Sequence, residues 1–306
     1  MLKAKLGMSP IAWWNDDLAE LSDDVSLEEC LRQSRKAGFT GMEMGRRFPQ
    51  DPNEMLPILK KADVTLCGGW FSGTLTHEGL SENKDRIAPM IELFKAVKAP
   101  CIVYGETARS IQGDKSKPLA IKPKLSEDEI KIYGRKMTAF GVWCAEQGMP
   151  LVYHHHMAAV IETETELDRF MKHTGAGIPL LYDAGHMAFA GGDVLRVIDK
   201  HHRRISHVHT KDVRMEVINK LDRSKESFLD AVVKGVFTVP GDGSLNFETI
   251  VKKFASYGYE GWFVVEAEQD PKKNPPLKMA QVGHKELMRV MTAAGYTVET
   301  QGFPNA

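Results

Sequence analysis

Short apolar runs alternate with longer amphipathic stretches along the whole chain. The runs Lys5–Ile11, Gly41–Met44, Val64–Gly69, Pro100–Tyr104, Leu151–His155, Pro179–Asp183, Ser206–His209 and Gly261–Glu266 have the length and content of buried strands. Between them, Leu27–Ala37, Ser81–Lys98, Glu127–Gln147, Glu162–His173, Phe247–Tyr257 and Met279–Ala294 carry apolar residues at helical spacing. Local punctuation agrees. Ser26 and Ser126 stand at N-cap positions, Glu29 follows Ser26 at capping-box spacing, and Gly38 and Gly148 are stops. Strand-then-helix alternation predicts a parallel sheet, and eight such units favour a (β/α)8 barrel of the TIM type, an α/β fold. A doubly wound sheet would need a glycine-rich turn after the first strand, and Met8-Ser9-Pro10-Ile11 has none.

Length changes the picture only in detail. At about 150 residues per domain, 306 residues would make two domains, but α/β barrels run to roughly 250 residues as one. The expectation is therefore one domain over 1–306, with extra length in loops at about 107–125 and 211–244. The first holds five Lys/Arg and two prolines; the second has a short helical stretch followed by Pro-Gly-Asp-Gly-Ser. Loops on the C-terminal face of a barrel line or cover its site.

Lys+Arg 40 against Asp+Glu 41 leaves a formal charge of -1, which argues against a nucleic-acid backbone or an anionic membrane as the main partner. Cys30, Cys67, Cys101 and Cys144 form no CxxC pair and read as reduced thiols. No run of 18 apolar residues occurs, and Met-Leu-Lys-Ala-Lys leads straight into the first strand, so a cytoplasmic protein with neither leader nor membrane span is expected. Homo-oligomerisation is left open. Histidine is the uneven count: nine of the 11 lie between His154 and His209.

Polar residues collect at strand C-terminal ends. Tyr153-His154-His155-His156, Asp183-Ala-Gly-His186, His207-Val-His209 and Glu266 close successive strands. Side chains alternate along a strand, so His154 and His156 share a direction, as do His207 and His209. Imidazole and carboxylate from neighbouring barrel strands can converge on the axis. Such a set without thiolate suits Mn, Co, Fe or Zn and leaves room for a chelating substrate. Each piece alone has a plainer reading: a helix cap for Asp183, a structural pair for the histidines, a loop anchor for Glu266. Four in chain order at four strand ends favour a site.

The motifs WWNDD (13–17), YHHHM (153–157), DAGH (183–186), HVHTKDVR (207–214), GVFTVPGDG (235–243) and GYEGWFVVEAEQDP (258–271) resemble those of the myo-inosose-2 dehydratases. These belong to the xylose-isomerase-like barrel superfamily of sugar isomerases, epimerases and dehydratases. The resemblance runs from Gly7 to about Gly283. It implies a divalent metal, manganese or cobalt, and a role for glutathione. The implied activity is that of a hydro-lyase taking water from 2-keto-myo-inositol, a small neutral cyclic polyol ketone, in inositol catabolism. It also implies metal ligation by Asp183, His209 and Glu266. The fourth ligand is a glutamate in the epimerases; here His154 stands nearest, with His156 as the alternative.

Enolisation beside a metal-bound ketone, followed by loss of a β-hydroxyl, needs a base and an acid. Glu266 is read as ligand and base, and His154, His156 and Lys211 as acids. Trp13, Asn15, Glu43, Trp70, Glu106, His186 and Arg214 are read as polyol contacts, each with an ordinary scaffold role as its alternative. The rival functions are an inosose or ketose isomerase/epimerase on the same barrel, which conserves mass where a dehydratase loses water, and a non-catalytic sugar-binding barrel.

Overall fold

A computed structural model describes residues 1–22 and 24–303; the single-domain reading of 1–306 also runs over residues 23 and 304–306, which lie outside that set. Seven strands come first in chain order: β1 Leu2–Met8, β2 Gly41–Met44, β3 Thr65–Gly73, β4 Ile102–Glu106, β5 Leu151–His154, β6 Leu180–Asp183 and β7 Ile205–His209. The short β8 Asp212–Val213 and β9 Phe237–Thr238 follow, then β10 Gly261–Val265 and β11 Tyr296–Val298. Strands β1 to β7 pair in order, all parallel, and β10 joins β7 to β1, which closes an eight-stranded barrel. Closure is in register from Ala4 opposite Gly261 to Met8 opposite Val265. The N-terminal half of β1 also takes on β11, while β8 and β9 form a separate antiparallel ribbon inside the 211–244 loop.

The eight expected strands are all present, displaced by up to four residues at their ends. Among the helices, Leu27–Ala37 and Glu127–Glu146 begin at their serine caps, and Ser126 with Glu129 makes a reciprocal capping box. Gly38 ends the first helix at φ 113, a left-handed conformation that favours glycine. Among the described residues, two helices of eight residues or more lie outside the predicted set. Pro52–Ala62 contains Pro57, which masks its periodicity, yet Asp51 at the cap and Pro52 in the first turn are ordinary start signals. Val194–His201 starts on Asp193, whose carboxylate accepts from two backbone N–H groups.

Alternation sorts the side chains into three apolar regions. Outward residues such as Leu151, Tyr153, Leu180, Tyr182, Val208 and Phe263 pack against the helices in the main core. Inward residues Cys101, Val103, Val152 and Leu181 plug the barrel, with Trp70 packed on them. The next inward positions beyond Val152 and Leu181 are His154 and Asp183, so the apolar plug is the floor on which the polar residues stand. A third cluster lies beneath the long loops and includes Leu18, Leu21, Leu119, Met157, Phe189, Phe228 and Phe237. It holds the loops over the open face.

Candidate active site

His154, Asp183, His209 and Glu266 converge at that face, each offering one donor atom, all within 4.8 Å of one another. Register irregularities lie between Leu180 and Leu181, below Asp183, and between Met42 and Glu43, at a neighbouring strand end. Bulges of this kind re-aim side chains. Asp183 serves both readings of its motif. Oδ1 accepts the His186 N–H at 2.8 Å, capping the helix Ala184–Phe189, while Oδ2 is fully buried with no hydrogen-bond partner. Facing Oδ2 are His154 Nε2 at 3.6 Å and His209 Nδ1 at 3.4 Å.

The tautomers follow from the other ring nitrogens. His154 Nδ1 lies 2.6 Å from the His155 carbonyl, so it carries the proton and leaves Nε2 bare. His209 Nε2 lies 2.9 Å from Glu43 Oε1, and Nδ1 lies 2.9 Å from Glu266 Oε2. Lone pairs of imidazole and carboxylate aimed at one another in a buried space require a cation or a proton between them. Without a metal the burden falls on His209. Burial opposes its charge, but Glu43 and Glu266 overcome this and raise its pKa well above the usual histidine range. Against the upward push of burial, His209 and His207 hold Glu43 well below the ordinary carboxylate range. Likewise Lys211 and His209 hold Glu266 at about 2. The orphaned Asp183 oxygen, the bare nitrogens and the thiolate-free set fit a divalent ion of the Mn–Co–Zn series. Glu43 then plays the carboxylate that orients a ligating histidine.

Beside this cluster stands a second. His156, His186 and Glu268 lie within the same reach of one another, and the fully buried Lys211 threads between them. Its ammonium donates to Glu268 Oε2 at 2.6 Å and to His186 Nε2 at 2.6 Å, and lies 3.1 Å from Glu266 Oε2. Burial works against that charge, but Glu266 and Glu268 outweigh it and push the pKa up. Burial, reinforced by Lys211, keeps His186 neutral. His156 donates from Nδ1 to the Met157 carbonyl at 3.0 Å, and burial with His154 and Lys211 drives its pKa down to about 3. Burial pushes the Glu268 carboxyl up to about 7, opposed by Lys211 and aided by Glu266.

A cavity of about 410 Å³ opens above, lined by Glu43, Trp70, His156, His209, Glu266 and Glu268 and rimmed by Ser9, Asp17, Ser72, Ser110 and Gln112 among others. Its size lies in the ~300–1,000 Å³ range of small-molecule sites. Trp70 stands edge-on to His154 and His156, with ring centres 5.8 and 5.7 Å apart. Of the residues expected to touch a polyol, Glu43 and Trp70 reach the cavity, while His186 does not line it and is held by Lys211 Nζ at 2.6 Å. The other four do not line this cavity and make their contacts elsewhere. Trp13 is fully buried and donates its indole N–H to Gln33 at 2.8 Å. Asn15 Oδ1 accepts from Asp17 N and Leu18 N, both at 2.9 Å. Glu106 accepts from Tyr104 Oη at 2.8 Å and Thr76 Oγ1 at 2.9 Å. Arg214 binds Asp242 at 2.6 Å and the Gly235 carbonyl at 2.6 Å inside its own loop. Glu268 is the site residue that the strand-end pattern misses, although it shares the parity of Glu266 two residues on.

Fold and donor set together define a class: (β/α)8 barrels with a mixed imidazole–carboxylate cluster at the open end, beside a small polar cavity. The chain belongs to the xylose isomerase-like TIM barrels, whose family model matches residues 31–293, and within them to the family of the inosose dehydratases. It is 42% identical over 280 residues to the inosose dehydratase of Geobacillus thermodenitrificans, covering 91% of this chain and 94% of that protein. The Clostridium perfringens inosose dehydratase is 40% identical over 285 residues, 92% and 96% of the two chains. The rhizopine catabolism protein MocC of Rhizobium meliloti is 39% identical over 300 residues, 98% and 92%. Among solved structures, the probable 3-DHS dehydratase AsbF of Bacillus anthracis shares the fold at 14% identity. Its TM-score is 0.68, over 93% of this chain and 98% of that one. Among the described residues no helix is long and apolar enough to cross a membrane.

Proposed function

We propose that this chain is a metal-dependent inosose dehydratase, a hydro-lyase that removes water from 2-keto-myo-inositol to give a trihydroxycyclohexane-1,2-dione in inositol catabolism. The reading rests on one observation: about two-fifths identity to inosose dehydratases over more than nine-tenths of this chain and of theirs.

His154 Nε2, Asp183 Oδ2, His209 Nδ1 and a Glu266 oxygen would hold the ion, and manganese or cobalt suits this N/O set. When bound, it supplies Lewis-acid stabilisation of the negative charge that develops on the substrate's ketone oxygen. The protein supplies the proton chemistry. A group facing the cavity must take the proton from the carbon beside the ketone, and a proton must reach the departing hydroxyl. Glu266 Oε2 already faces His209 and Lys211, so that oxygen is committed to them. His156, neutral and with Nε2 unengaged at the cavity wall, takes the α-proton and returns it to the leaving hydroxyl. His154 is excluded from this duty because its free nitrogen faces Asp183, and Lys211 because its ammonium is committed to three partners. Any part played by glutathione must avoid a mixed disulfide with this chain, since all four cysteines are buried.

The test is incubation of metal-loaded protein with 2-keto-myo-inositol, with and without chelator. A product one water lighter, lost on chelation, is expected; an isomer of unchanged mass would refute the reading. Glu266→Gln should lose the metal and turnover together, whereas His156→Gln should keep the metal and lose turnover. A second reading, service in rhizopine catabolism, is favoured by the 98% cover of the MocC alignment. Disrupting the gene and scoring growth on rhizopine against myo-inositol separates the two.

A further inference from the structure

The dehydration chemistry uses the floor of the cavity and leaves its mouth without a role. One side of the mouth is the Trp-Trp-Asn-Asp-Asp segment. Trp13 and Trp14 anchor it by full burial, and Asn15 turns the chain by accepting from the two backbone N–H groups of Asp17 and Leu18. Asp16 is fastened by Arg46 at 3.1 Å. Asp17 is left at the cavity rim.

The other side is the start of the 107–125 loop. Ile111 N–H donates to the Ala158 carbonyl at 3.0 Å, which ties the loop down. Ser110 Oγ accepts from Gln112 N at 3.1 Å and donates to Gln112 Oε1 at 3.0 Å. With its carbonyl oxygen engaged, the Gln112 amide presents N–H groups; it lines the cavity together with the Asp17 carboxylate, whose pKa it works to lower against burial. Leu18 and Leu119 lie in the same small core, with Ile111 packed against it, so neither side has to be ordered when a ligand arrives.

We propose that Asp17 and Gln112 are a specificity pair that binds the ring hydroxyls of the substrate remote from its ketone, an assignment that rests on the inosose reading. His156 and two members of the donor cluster, His209 and Glu266, line the same cavity as this pair. In 2-keto-myo-inositol the carbon opposite the ketone is C5, so a ring seated with its ketone at the donor cluster turns the C5 hydroxyl toward the mouth. A carboxylate accepts from one hydroxyl while the amide N–H donates to the next, so the pair reads two adjacent hydroxyls. Five carboxylates line the cavity (Asp16, Asp17, Glu43, Glu266 and Glu268) and, among the described residues, no Lys or Arg does. A phosphate or carboxylate on the ring would find no Lys or Arg to pair with on the cavity lining.

The experiment is steady-state kinetics of the metal-saturated full chain on 2-keto-myo-inositol and its 5-deoxy analogue, for wild type, Asp17→Ala and Gln112→Ala. Wild type should prefer the hydroxylated compound by about 10- to 100-fold in kcat/KM, the worth of a hydrogen bond to a charged group. Asp17→Ala should bring that ratio close to one, chiefly by raising KM on the hydroxylated compound, with metal affinity and melting temperature unchanged. Gln112→Ala should fall between. An Asp17→Ala protein that keeps the wild-type ratio would overturn the assignment, as would one that loses kcat while keeping the preference. A wild type that dehydrates neither compound removes the inosose reading itself, and this assignment with it.

Discussion

Glu43 offers the sharpest test of the donor cluster, because it would act on the metal without touching it. Its Oε1 accepts from His209 Nε2 at 2.9 Å and lies 3.6 Å from His207 Nε2, with all three side chains buried. Ionised Glu43 selects the His209 tautomer whose Nδ1 is free to bind a cation. With that charge removed, His209 can instead carry its proton on Nδ1. That proton would point at Asp183 Oδ2, 3.4 Å away, and Glu266 Oε2, 2.9 Å away, and close the cluster on itself. Orienting carboxylates of this type are worth about 10- to 100-fold in metal affinity, or about 1.4 to 2.8 kcal/mol. Glu43→Gln keeps an acceptor without the charge and should sit near the tenfold end. Glu43→Leu, with no acceptor, should approach 100-fold. The assay is titration of chelator-stripped protein with Co²⁺, followed by calorimetry and by the visible absorption of bound cobalt. Affinity unchanged in both variants, at wild-type melting temperature, would refute the tautomer argument and the ligand role of His209 Nδ1 with it.

Further predictions follow from the same contacts. Metal uptake should release protons, because His209 holds one in the apo protein and must lose it to ligate. A pH-stat should record this, and affinity should climb with pH. The sign for folding is opposite. A histidine whose pKa is raised on folding stabilises the apo protein below its unfolded value and loses that contribution as pH rises through the folded value. Apo protein should therefore weaken on the alkaline side where the metal-loaded protein does not, as melting curves would reveal. Lys211→Met should cost about 3–5 kcal/mol in urea denaturation, since it strands the buried Glu268 carboxylate and leaves Glu266 with His209 alone. Adding Glu268→Gln should recover part of this, and a fully stable single variant would contradict the buried charge. Gly105→Ala should cost about 1–3 kcal/mol, because a Cβ there lands inside the Trp70 ring. It should also depress turnover by moving Trp70 off His154 and His156; a wild-type indole emission spectrum would speak against that displacement.

Much of the site is legible in the sequence because a barrel strand has a two-residue period. Val152 and His154, Leu181 and Asp183, and His207 and His209 are inward pairs at neighbouring strand ends, and parity alone identifies them. The same rule applied two residues past Glu266 finds Glu268. Asp17 and Gln112 carry no such signal, since they lie on loops whose conformation is set by Asn15, Ser110 and the small core beneath. The helix Pro52–Ala62 is hidden by its internal proline, although its cap is legible.

What the chain determined by itself was periodicity and its punctuation: eight short apolar runs, the capping serines, and which polar residues stand at strand ends. Those features are local, and a (β/α)8 barrel is their consistent solution. Only tertiary structure decided partnership. It set His154 against Asp183 and left His156 beside His186 and Glu268, although both histidines leave the same strand end with the same parity. It also turned Glu43, Glu106 and Arg214, alike in sequence as charged loop or strand-end residues, into a histidine orienter, a turn anchor and a loop brace. The reason is physical. Pattern fixes the direction in which a side chain leaves the backbone, but the atom it meets belongs to a residue tens to hundreds of positions away.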